Sequence, residues 1–76
     1  MNVLYEILEQ RPDRVLLRDT GEGLSITNGA DRVVEELPEK LQSGGLDGRR
    51  LLYIDTLNRV DEILVRDGEF AGIKLL

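Results

Sequence analysis

The chain has 76 residues, 15 acidic against 10 basic side chains, a net charge of −5, and neither cysteine nor histidine. That length sets one domain, residues 1–76, with a core small enough for marginal stability, and no disulfide or Cys/His metal site is available to staple it. The acidic balance works against a nucleic-acid backbone or an anionic membrane surface as partner, and the absence of cysteine fits a cytoplasmic protein.

A hydrophobic fraction of 41% and a charged fraction of 33% are those of a folded globular chain. No apolar run approaches the roughly 20 residues of a membrane-spanning helix, and the first residues lack the apolar region of a signal peptide. Asn2 to Gln10 reads as a short helix. Asn2 is placed to cap it, and Val3, Leu4, Ile7 and Leu8 form one stripe. Pro12 ends it, because the residue before a proline is pushed out of helical ψ.

Asp13 to Asn28 reads as a hairpin, with strands Val15–Leu17 and Leu24–Thr27 around a turn at Thr20–Gly23. Gly21-Glu22-Gly23 has the look of a phosphate loop, but no Lys-Ser/Thr follows it and Glu22 places negative charge where phosphate would sit. Asn28-Gly29 is compatible with a further hairpin turn or with a helix start. Ala30, Val33, Val34, Leu37 and Leu41 recur at helical spacing, so the stretch Ala30–Leu41 is assigned as helix. Pro38 predicts a kink, or an end near Leu37 followed by one more turn. Ser43 to Gly48 is a glycine-rich connection.

Arg49 to Leu76 reads as a three-stranded meander. Asp67-Gly68 carries a type I′ hairpin signature, which pairs Arg66 with Glu69, Val65 with Phe70 and Asp61 with Lys74. A two-residue turn at Leu57-Asn58 would set Ile54 against Asp61 and Leu52 against Ile63. This register places Phe70 at the centre of the core with Val65 and Leu52. The opposite face carries Leu51, Tyr53, Val60, Leu64, Ile73 and Leu75. Apolar residues on both faces of one sheet make that second set a candidate interaction face.

The order of elements, α-β-β-α-β-β-β, predicts an α+β fold with a mostly antiparallel sheet of about five strands. The alternative is a small bent barrel of the Sm or SH3 kind with an N-terminal helix. The usual general base, thiol nucleophile and zinc ligands are missing, so no catalytic, metal or cofactor site is assigned. Asp55, Asn58, Asp61 and Glu62 do not match the spacing of a calcium loop and read as strand-end charges. The expectation is a non-catalytic protein-interaction or regulatory module with a protein partner or as a homodimer. The alternatives are an acidic inhibitor that mimics nucleic acid and a small nucleic-acid-binding barrel.

Overall fold

The computed structural model describes residues 5–21, 26–42 and 45–76. In chain order the elements are β1 (Tyr5–Gln10), β2 (Arg14–Asp19), α1 (Ile26–Glu36), α2 (Glu39–Gln42), β3 (Arg50–Ile54), β4 (Val60–Arg66) and β5 (Glu69–Leu75). The strands form one sheet in the spatial order β1-β2-β3-β4-β5. β2 and β3 are parallel and every other neighbouring pair is antiparallel. A parallel pair needs a long crossover, and the helices supply it.

The α+β class and the mostly antiparallel five-stranded sheet agree with expectation; the order of elements does not. Residues Tyr5–Gln10 are an edge strand, not the second half of a helix. Tyr5 opposes Asp19 and Ile7 opposes Leu17, but Glu9 opposes Leu16, so Leu8 is an extra residue in the ladder. That bulge interrupts the two-residue alternation and leaves Ile7 and Leu8 adjacent, a pattern that imitates a helical stripe. The cap expected at Asn2, with Val3 and Leu4, lies outside the described residues, as do Glu22 and Gly23 of the expected turn and Leu24 and Ser25 of the expected strand. Ile26, the apolar end of that strand, opens α1 instead. The barrel alternative is not realised, since β1 and β5 stand at opposite edges and do not pair.

α1 forms where the period indicates, and Ile26, Ala30, Val33 and Val34 are buried. It stops before Pro38. The Leu37 amide reaches back only to Val34, and the Pro38 carbonyl then accepts from Leu41 and Gln42 to start the single turn of α2. The side chain of Gln42 donates to the carbonyls of Val34 and Glu35, two of the acceptors that the end of α1 leaves open. α1 packs on β4 and β5, and the hydroxyl of Tyr5 on β1 donates to the Glu36 carbonyl in the last turn of α1. Eleven residues of helix span roughly 16 Å, enough to cross most of a five-stranded sheet.

The buried side chains form one cluster between this helix layer and one face of the sheet, with Val15, Leu17, Leu51, Tyr53 and Ile63 on the sheet side and Leu37, Leu41 and Leu46 completing the other. Tyr53 is the largest fully buried side chain. Phe70 is not at the centre of the core: it opposes Val65 at the margin and remains 39% exposed. Among the described residues no helix is long and apolar enough to cross a membrane.

Candidate functional site

Two local features set which side chains reach the uncovered face. The first is the β3–β4 connection. It spans Asp55 to Arg59, and Ile54 pairs with Val60. Asn58 takes the left-handed conformation, φ 61°, as its residue type favours. The loop is longer than two residues because the Asp55 carboxylate closes it, accepting from the Leu57 and Arg59 amides at 2.9 Å each. Those backbone bonds, the Arg59 amide first, hold the Asp55 carboxyl below the ordinary carboxylate range, with the Arg59 guanidinium at 3.3 Å adding to the effect. The pairing is one residue off the expected register, so Leu51 opposes Ile63 and Leu52 opposes Glu62. One such step turns β3 over relative to β4.

The second feature is a bulge between β4 and β5. Asp67 and Gly68 both have positive φ, 55° and 79°, so the type I′ turn forms and Arg66 and Val65 pair with Glu69 and Phe70 as expected. The ladder then shifts, because Leu64 opposes Gly72 and Ala71 is extra. Gly72, at φ 156°, takes a backbone angle that other residues resist. Glu62 therefore opposes Lys74, and Asp61 opposes Leu75 where Lys74 was expected.

These shifts divide the candidate interaction face. Leu51 and Tyr53 are buried beneath the helices, and Ile73 packs partly buried against the same core. Leu75 opposes Asp61 on the edge strand and is 78% exposed. Val60 and Leu64 project from the other face, where they join Leu16, Leu52 and Ile54. Leu64 is exposed and the other four are half-buried by their neighbours within the sheet. Among the described residues no secondary-structure element packs on this face. Leu52 and Ile54 fall on the core side in the expected register, because a one-residue shift exchanges the faces of a strand, and Leu16 lies in the unbroken apolar run Val15–Leu17, which shows no alternation.

The apolar centre has a charged rim. Arg14 and Arg50 are neighbours across the parallel seam, and Arg18 lies beside Ile54. Arg14 bonds Glu9 at 3.2 Å, and Arg50 holds Glu62 at 3.2 Å, leaving the Glu62 side chain only 13% exposed. A shallow pocket of about 320 Å³ opens beside Leu64 at the β4–β5 bulge, with Arg49, Arg66 and Glu62 in its wall. The carboxylates that could have suggested a metal site have structural partners or neighbours. Asp55 closes a loop, Glu62 pairs with Arg50, and Asp61 is buried opposite Tyr53. Among the described residues no group of three or more acidic side chains is arranged to hold a metal ion.

No family model, no curated protein and no solved structure matches this chain.

Proposed function

We propose that the protein is a non-catalytic interaction module that docks a protein partner on the open face of its sheet. One observation carries this reading: Leu16, Leu52, Ile54, Val60 and Leu64 make an apolar centre that no described element covers, and charged side chains surround it. Contiguous apolar surface with a polar rim is the anatomy of protein–protein contacts. The acidic-mimic reading would need an unbroken acidic stripe. The outer side of the helices offers Asp31, Glu35, Glu36 and Glu39, but Arg32 lies among them and pairs with Glu36 at 3.3 Å, so that reading has less support.

The test is affinity capture from the source cells with wild type, Ile54→Glu on the open face, and Asp31→Lys on the helix side. Ile54 is half-buried and lies on the face turned away from the buried cluster, so the Ile54→Glu variant should keep a cooperative melt. It should lose the captured proteins, whereas Asp31→Lys should retain them. Capture that survives Ile54→Glu would place the docking surface elsewhere.

A further inference from the structure

Resting on that docking reading, we infer that the partner is a second copy of this chain, packed face to face across a two-fold axis that runs along β3. One row of side chains crosses the open face from edge to edge. Glu9 opposes Leu16, Leu16 lies beside Leu52, Leu52 opposes Glu62, and Glu62 opposes Lys74. The row thus begins with a carboxylate on β1, has a leucine at its middle strand and ends with an ammonium on β5. A two-fold axis over Leu52 reverses the row in the second copy. Leu52 then meets Leu52, Glu9 of each copy lies over Lys74 of the other, and Leu16 of each copy lies over Glu62 of the other, with Arg14 and Arg18 flanking that carboxylate on either side. The next row, Arg18–Ile54–Val60, sets Ile54 on Ile54 over the same axis. A sheet face with acid at one edge and base at the other is complementary to itself in this orientation.

The intramolecular bonds leave these groups able to take part. Glu9 meets Arg11 and Arg14 through Oε1 alone. Arg50, the remaining charge on the exposed side of β3, is neutralised by Glu62 of its own chain. Five strands of this length give a face of roughly 20 × 20 Å. Two such faces packed at about 10 Å, about 400 Å² each in plan, bury roughly 800–1,000 Å² in total, the size of a weak, transient contact. Dissociation constants of such a contact fall in the micromolar range.

Sedimentation equilibrium from low micromolar to about 1 mM protein, in buffered physiological salt, reads the mass directly. Wild type should rise from 8.6 kDa toward twice that value. Leu52→Asp should stay monomeric throughout. Lys74→Glu, an exposed edge substitution that sets a second carboxylate opposite Glu62, should weaken association at least tenfold, as should Glu9→Lys, which removes the contacts to Arg11 and Arg14; a thermal melt of each variant checks that it is folded. The combination of Glu9→Lys with Lys74→Glu should restore most of the loss. Within one copy these two residues stand at opposite edges, four strand spacings or roughly 19 Å apart, so mutual rescue requires pairing between copies. A monomer at every concentration overturns the dimer, and so does a dimer indifferent to Leu52→Asp or a charge exchange that fails to rescue. The docking reading is judged separately, by whether Ile54→Glu abolishes capture.

Discussion

Tyr53 is the residue on which the core turns. Its ring is wholly buried, and its hydroxyl donates to Asp19 Oδ2 at 3.0 Å, tying β3 to β2 beyond the backbone ladder. The Asp19 carboxylate also accepts from the Gly21 amide at 2.7 Å, so it stays fixed if the tyrosine hydroxyl is removed. Tyr53→Phe should therefore cost about 1 kcal/mol, measured by urea denaturation. Burial, and then the bond to Asp19, raise the Tyr53 hydroxyl above its ordinary value of 10.0, and burial also raises Tyr5. The unfolded chain releases these protons first. Stability should hold below pH 10 and fall as the pH rises beyond it, more steeply in wild type than in Tyr53→Phe. Asp55 acts in the opposite sense. Its carboxyl is held low by the loop amides, so its contribution is present above pH 3.8 and lost as the pH drops further.

Phe70 shows what local sequence cannot convey. A lone phenylalanine beside a strong turn invites a central place, yet it sits at the rim of the cluster with 39% of its surface exposed. Phe70→Ala should cost only about 1–2 kcal/mol, because much of the ring is already in water. Leu17→Ala, deep in the same sheet, should cost about 2–5 kcal/mol. Thermal melts of the two variants side by side decide the ranking, and a larger loss for Phe70→Ala would contradict this view of the core.

At the scale of elements, features whose cause is local were legible. The helical period of Ala30 to Leu41, its interruption at Pro38, the positive φ of Gly68 and the left-handed Asn58 all depend on neighbouring residues. What escaped were counts of one. An extra Leu8 disguised β1 as a helix, an extra Ala71 shifted β5, and a β3–β4 register one residue from the expected one turned β3 over. Bulges and side-chain-closed loops leave little trace in periodicity, because they consist of the point where the period fails. Gly68 links this level to the tertiary structure. A side chain there would suffer the positive φ, and its Cβ would lie 2.5 Å from the Gln42 carbonyl oxygen at the end of α2. Gly68→Val should therefore destabilise by about 2–3 kcal/mol or more, visible as a lower urea midpoint. A midpoint equal to wild type would mean that α2 moves aside freely.

At the scale of the molecule, the open face could not be read correctly from sequence because it depends on three registers at once. The candidate list held Val60 and Leu64, which belong to it, and Leu51 and Tyr53, which the helices cover. The same strands reached the right sheet with one of them inverted.

The parallel seam between β2 and β3 also governs how the fold is reached. β1 with β2, and β3 with β4 and β5, pair through short turns, whereas the seam joins residues separated by the whole helical crossover. Closing that long loop carries the largest entropic cost, so the two antiparallel units should form first and the seam last. Stopped-flow chevrons can check this order: Ile63→Val in the meander should slow folding, while Val15→Ala at the seam should chiefly hasten unfolding. During synthesis the order has a further effect. β2 leaves the ribosome ahead of β3, and until β3 follows one side of β2 presents free backbone amides and carbonyls beside the apolar side chains of Val15 and Leu17. The nascent chain passes through a stage in which its most adhesive edge is bare, and chains halted before Arg50 should accumulate as aggregates.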